Sequence, residues 1–237
     1  MTRRQFATLA LGAGVSALDG QPRKWKIVVT GGHPGDPEYG CGGTIARYTD
    51  LGHDVSVIYL NHGEKHCPES PGEAAANPRP AEAKRACAIL KARPFFASQC
   101  DAHAVVDSQR YDDFLALVEA ENPDALFTHW PVDNHRDHRA ISMLALDAWI
   151  KMNRRFALYY YEVSDGEDTA MFSPTDYVDI AATEQQKRAA CYAHASQAPA
   201  KFYDLQDRVA VFRGIESRHA RAEAFIHHAG SPSGFLP

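Results

Sequence analysis

The sequence predicts an α/β domain whose mostly parallel sheet is flanked by helices. Two observations carry this: short β-branched runs alternate with longer helical stretches, and Gly- or Pro-containing turns separate them. The length of 237 residues gives one such domain a full core.

The elements follow in order. Trp25 to Thr30 is a β-branched run that reads as a buried strand and stops at Gly31-Gly32. A helix is expected from about Gly40 to Asp50, with Gly52 near its end, and a second strand over Val55 to Leu60. Residues 62–80 hold several Pro, Gly and Asn and read as a loop. Pro80 to Ala92 reads as a helix with Ala83, Ala86, Ala88, Ile89 and Leu90 inward. A short strand is expected near Ala104 to Val106, then a helix from Tyr111 to Glu121. Strand Ala125–Thr128, helix Asp137–Asn153 and strand Ala157–Val163 come next. Helices over Glu184–Ala195 and Ser217–His228 complete the pattern. Tyr159, Tyr160 and Tyr161 alternate along their strand as packing residues.

Composition narrows the function. Net charge is −5 and no basic stripe occurs, which argues against a nucleic-acid partner. Five cysteines without a CxxC pair argue against a disulfide framework and leave room for a single bridge. Cys41, Cys87 and Cys191 fall in helical patterns and read as buried thiols. Thr2-Arg3-Arg4-Gln5-Phe6, the apolar stretch Ala7 to Leu18 and the small residues Val15-Ser16-Ala17 resemble a twin-arginine export signal. Residues 1–20 are therefore set apart from the domain at 21–237, and a periplasmic or extracellular location is expected, with the cytoplasm as the alternative. The apolar stretch is too short to span a bilayer, and no other segment is a candidate for a stable span.

A parallel, helix-covered sheet binds ligands at the carboxyl ends of its strands. The loops after Thr30, Leu60, Thr128 and Val163 then share one rim. Two of them are rich in metal-binding side chains. The first, His33-Pro34-Gly35-Asp36-Pro37-Glu38, places a histidine and a carboxylate on one tight loop. The second, Asp133-Asn134-His135-Arg136-Asp137-His138, opens a helix and puts His135 and His138 on one face, with Asp137 beside them to orient an imidazole. Two histidines and one carboxylate are a usual set for catalytic zinc, and they also suit Fe2+ or another divalent metal.

These motifs resemble the PIG-L / LmbE-like family of zinc-dependent N-acetylglucosaminyl deacetylases. That family carries an HPDD-x-E loop before a Gly-rich helix start and a distal HPDH. The counterparts here are His33 to Glu38 with Gly40-Cys41-Gly42-Gly43-Thr44, and His135-Arg136-Asp137-His138. Weaker matches are Asn61-His62-Gly63-Glu64, Arg79-Pro80-Ala81-Glu82-Ala83, Lys187 through His194-Ala195-Ser196-Gln197, and Glu223-Ala224-Phe225. The resemblance spans about residues 25–228 and implies a single Rossmann-like domain. It implies metal ligation by His33, Asp36 and His138, and a general acid or oxyanion-stabilising role for His135 with Asp137 in support. It also implies a small-molecule or glycan substrate, with Arg79 and Glu64 as contacts.

One departure bears on mechanism. The family's general base is the first Asp of HPDD, and Gly35 stands there. A lost base typically costs about 10²–10⁴ in rate. Either another carboxylate substitutes, Asp133 ahead of Glu64, or the metal hydroxide works without a protein base. The alternative is a carbohydrate-binding protein on an impaired enzyme scaffold. An Fe2+-dependent oxidative enzyme with the same three ligands is a third, weaker reading. Arg136 replaces the family's Pro and adds a cation. His129-Trp130 at a strand end suits a rim position for substrate stacking, whereas His62, His66, His103, His219, His227 and His228 read as surface residues.

Overall fold

The computed structural model describes residues 23–64, 67–164 and 167–237. Seven strands form one sheet in the order β3-β2-β1-β4-β5-β7-β6. They are β1 (Lys26–Gly31), β2 (Asp54–Asn61), β3 (Arg93–Gln99), β4 (Ala125–His129), β5 (Ala157–Tyr161), β6 (Asp176–Asp179) and β7 (Ala222–His227). The first five run parallel, and β7 pairs antiparallel with both β5 and β6. The helices are α1 (Asp36–Asp50), α2 (Pro71–Ala76), α3 (Arg79–Ile89), α4 (Ser108–Glu121), α5 (Arg136–Lys151), α6 (Glu184–Tyr192) and α7 (Pro199–Ser217).

The two-residue alternation of the strands splits the core into two layers. Ile27, Val29, Val57, Tyr59, Phe127 and Tyr161 face one side with α1, α3, α6 and α7. Val28, Ile58, Leu60, Leu126, Leu158 and Tyr160 face the other with α4 and α5. Tyr161 donates its hydroxyl to the Thr30 carbonyl, tying β5 to the end of β1. Helix α1 lies close enough to β5 that a Cβ at Gly40 would sit 2.3 Å from the Tyr161 ring, so only glycine fits.

The central elements follow the sequence pattern; the expectations for the flanks need correction. The third strand is Arg93–Gln99, not Ala104–Val106, because the run Arg93-Pro94-Phe95-Phe96 pairs with β2 from its edge position. The helix expected over Ser217–His228 is strand β7, preceded by the long helix α7. A helix end at Ser217 and a strand start at Ala222 fall within ten residues of one another and carry no clean periodicity. Strand β6 and helices α2 and α7 lack an expected counterpart. Ala88 and Ile89 face solvent rather than the core. The export-signal motif and His66 lie outside the described residues. No helix among the described residues is long and apolar enough to cross a membrane.

Candidate metal centre

Strands β1 and β4 are neighbours, and the chain leaves them toward opposite edges of the sheet. Their carboxyl ends therefore open a crevice at the topological switch point. The loops carrying both His/Asp motifs enter it, and α1 and α5 start there.

Each loop is shaped locally. Gly35 has φ +115°, a conformation that side chains rarely adopt, and turns the chain into α1 at Asp36. Glu38 accepts the Gly35 N–H at 3.2 Å, and Asp36 Oδ2 accepts the His33 N–H at 2.8 Å. On the second loop Asp133 Oδ1 accepts the His135 N–H at 2.7 Å, and His135 Nδ1 accepts the Asp137 N–H at 3.2 Å. The second contact satisfies a free amide at the start of α5 and leaves the proton of the neutral His135 ring on Nε2.

The side chains converge on Asp36. Its Oδ2 lies 3.0 Å from His33 Nδ1, 3.2 Å from His138 Nε2 and 3.3 Å from His129 Nε2. The far nitrogens are also held. His138 Nδ1 lies 3.1 Å from Asp133 Oδ1, and His33 Nε2 lies 3.2 Å from both Asp137 Oδ2 and Asp101 Oδ1. The His135 ring stands edge-on to His33 with centroids 4.5 Å apart. Three overlapping sets bring ligand atoms within 4.8 Å of one another: His33 with His135 and His138, Asp36 with His129 and His138, and His33 with Asp101 and Asp137. The trio implied by the family resemblance draws on the first two sets and is joined by the Asp36–His33 contact.

Charge is concentrated here. Burial opposes a proton on His33, yet the Asp36 charge and hydrogen bonds to Asp101, Asp137 and Asp36 hold its pKa well above the usual histidine value. Burial likewise opposes the charged His138, but Asp36 and Asp133 raise it to about 9. Burial would raise Asp36, and the His138 and His33 charges hold it well below the usual carboxylate range. Burial and the His138 charge push His129 down to about 4. Burial, then His33 and His138, lower His135.

This donor set fits a divalent metal. One half-buried carboxylate oxygen lies within 3.3 Å of a ring nitrogen of each of three histidines, and His129 Nδ1 is buried without a hydrogen-bond partner among the described residues. Two of the donor separations, 3.0 Å from Asp36 Oδ2 to His33 Nδ1 and 3.2 Å to His138 Nε2, approach the roughly 3.4 Å edge of a tetrahedron with bonds of about 2.1 Å. A cation there would take the place of the protons on His33 and His138.

Other sequence-derived assignments change. Asp133 is buried, and both its oxygens are engaged, Oδ1 by His138 and Oδ2 by the Thr169 hydroxyl at 3.1 Å. These contacts hold it against His138 and Thr169, and it is not among the residues that line the cavity. Asp137 is also fully buried; its carboxylate accepts from Asn61 Nδ2 and the Ala102 N–H and contacts His33, not His135. Its position one residue before His138 turns it toward β2, away from His135. His129 is fully buried and stacks on His138 at 4.0 Å, so it is not at the rim. Glu64 caps its own loop by accepting the His62 N–H and lines a neighbouring cavity of about 410 Å³.

The cavity over the metal centre has a volume of about 220 Å³ and is lined by Tyr39, Arg79, Asp101, His135, Asp168 and His194 besides the ligand candidates. Arg79 borders both cavities and donates to the Pro34 and Gly63 carbonyls, bridging the two loops. Asp101 and Asp168 were missed from the sequence. Asp101 follows β3, whose position was misjudged, and a Cys67–Cys100 disulfide ties its loop to residues 62–70. That is the single bridge the cysteine count allowed. Asp168 sits in no recognisable motif.

The weaker motifs prove to be scaffolding around the centre. Glu82 accepts both the N–H and the hydroxyl of Ser196, and Glu223 accepts the Gly43 and Thr44 amides while pairing with Lys187 at 2.6 Å.

Residues 28–149 match the family model for GlcNAc-PI de-N-acetylase, PIG-L. The chain belongs to the PIG-L family. The matched region contains both loops and every ligand candidate. The curated diacetylchitobiose deacetylase of Thermococcus kodakarensis is 26% identical over 216 residues, spanning 84% of this chain and 81% of that protein. Two solved structures share the fold. The N,N'-diacetylchitobiose deacetylase of Pyrococcus horikoshii aligns with a TM-score of 0.72 at 22% identity, over 86% of this chain and 84% of its own. The 4-carboxy-2-hydroxymuconate hydratase GalB of Pseudomonas putida KT2440 aligns at 0.76 and 22% identity, over 91% of this chain and 100% of its own. One scaffold thus carries both deacetylase and hydratase chemistry, so this chain's function must be argued from its site.

Proposed function

We propose that this PIG-L protein is a metal-dependent hydrolase that removes the N-acetyl group from an amino sugar or glycoconjugate, with zinc as the preferred ion. The observation that carries the reading is the convergence of His33, Asp36 and His138 at the switch-point crevice, within a family-matched region. The deacetylase relatives point the chemistry to an amide on a carbohydrate.

His33, Asp36 and His138 would hold the ion. When bound, it supplies a Lewis acid and a water acidified to about pKa 7. Asp133 fixes the His138 ring through Nδ1, and Asp137 with Asp101 fixes His33 through Nε2, so each ring presents its other nitrogen. The Asp137 amide leaves His135 with its proton on Nε2, available to the acyl oxygen as charge develops and to the departing amine. Arg79 at the cavity edge offers its guanidinium to substrate hydroxyls.

Location belongs to the same proposal. The twin-arginine-like residues 2–6 and the Cys67–Cys100 disulfide both support export to an oxidising compartment, where envelope or extracellular glycans are available.

Acetate release from N,N'-diacetylchitobiose and N-acetylglucosamine, followed by enzymatic acetate detection with and without a chelator, tests the activity. Metal-restored release supports it. Saturable sugar binding with no acetate from either compound would point instead to a carbohydrate-binding protein, the reading motivated by Gly35.

A further inference from the structure

Gly35 leaves the cavity without the carboxylate expected beside the metal centre. Restoring one at that position is disfavoured: a Cβ would fit against the Tyr39 ring at 3.4 Å, but φ is +115°. A proton acceptor supplied by the protein would therefore come from another element.

Three carboxylates line the cavity: Asp36, Asp101 and Asp168. Asp36 is shared by three imidazoles, and Asp101 is held by His33 and lies 3.8 Å from Arg79. Asp133 and Asp137 are buried with their oxygens engaged. Among the described residues, only Asp168 borders the cavity with a carboxylate that makes no hydrogen bond or ion pair.

Its position is fixed by backbone. Asn134 donates its N–H to the Asp168 carbonyl at 2.9 Å, and its side chain donates to the Glu167 carbonyl. Asp133 and Thr169 form an antiparallel bridge, and Ala170 N–H reaches the Val132 carbonyl. A segment after β5 is thus clipped along the loop that carries His135 and His138. Thr169, the next residue, bonds the carboxylate that orients His138.

We propose that Asp168 is the general base that takes the place of the carboxylate missing at position 35. This rests on the hydrolase reading above. Asp168 accepts one proton from the attacking water as the water oxygen bonds to the acyl carbon and the carbonyl electron pair moves onto the acyl oxygen. Collapse reforms the carbonyl and breaks the C–N bond. The proton passes to the leaving nitrogen directly or through His135, and the second water proton stays on the acyl product, giving acetic acid and the amine, which leave at neutral pH as acetate and an ammonium. Burial raises the proton affinity of Asp168. His138 and His135 oppose that rise, and Asp133 and Asp36 reinforce it.

The test uses the cobalt-substituted full chain and Asp168→Asn, with Asp168→Glu as the conservative variant. The visible spectrum of bound cobalt is titrated against pH, and turnover is measured in parallel. Removing the negative charge of Asp168 from the cavity wall should move the spectral inflection to lower pH by half a unit or more. Glu should restore it. Turnover of Asp168→Asn should fall by about 10²–10⁴ at unchanged metal content. A spectral profile identical to wild type, with metal bound, overturns the assignment even if no substrate is ever found. A shifted profile in a protein that releases no acetate leaves Asp168 beside the metal water and sinks the deacetylase reading instead. Turnover within threefold of wild type in a deacetylating protein also overturns it.

Discussion

Two polar clusters pack against α1 at different points along its length, and they are built differently. At its amino end, Asp36 is shared by three imidazoles, and His129 Nδ1 has no partner among the described residues. Along its middle, Glu223 takes one N–H from Gly43, one from Thr44 and one from the Lys187 ammonium. In the second cluster both oxygens of the buried Glu223 carboxylate are hydrogen-bonded, and the ion pair with Lys187 is held inside the protein. The first sets two cationic imidazoles, His33 and His138, among the carboxylates of Asp36, Asp101, Asp133 and Asp137, an arrangement in which a divalent ion can replace the two ring protons.

The sharpest way to separate the clusters is to remove one group from each. His135→Ala should lower turnover by about 10²–10⁴ while leaving metal content near wild type and costing only the roughly 1 kcal/mol of a lost helix cap. A large drop in melting temperature would make His135 a structural residue. Glu223→Leu should do the reverse. It strands a buried Lys187 and should cost about 3–5 kcal/mol of stability, with activity per folded molecule retained. Loss of metal in that variant would show that the two clusters are not independent. Asp133→Asn should be milder, weakening metal affinity by about 10–100-fold through a misoriented His138; equilibrium dialysis against a competing chelator reads it, and unchanged affinity would remove Asp133 from the positioning role.

The smallest effect is one of pH. The folded-state pKa values of His33 and His138 are raised, His138 to about 9. Their contribution to metal-free stability is full below the unfolded value of about 6.5 and is lost as pH rises through the folded values. Metal-free protein should therefore melt at lower temperature at pH 9 than at pH 6.5. Metal-loaded protein should show a weaker trend, and metal binding at pH 7 should release protons. The Lys187 pKa is also raised, so its contribution fails only above about 10.5 and leaves this window flat. Equal melting curves for the metal-free protein at both pH values would contradict the charge assignment at the centre.

The sequence showed much of this in one half of the molecule and little in the other. Strands β1, β2, β4 and β5 are continuous apolar runs, and the two His/Asp loops follow the adjacent pair β1 and β4, so the rim could be located before the structure. His33, Asp36 and His138 meet there. What each neighbouring carboxylate does was not legible. Asp133 and Asp137 are close in sequence, yet one turns to His138 and the other crosses to His33, a difference set by where α5 begins. His129, at the end of a buried strand, is hidden by the stacking of His138 over it. Asp101 depends on an edge strand with weak alternation. Asp168 depends on backbone pairing between two loops, for which local sequence has no signature.

Metal content decides the central claim. Elemental mass spectrometry on untagged protein, wild type beside His138→Ala, with circular dichroism to confirm folding, gives the ratio of metal to chain. The account predicts about one divalent ion per wild-type chain and almost none in the folded variant. A folded wild-type protein that takes up no metal when zinc is supplied, or a variant that retains it fully, would contradict the metal centre.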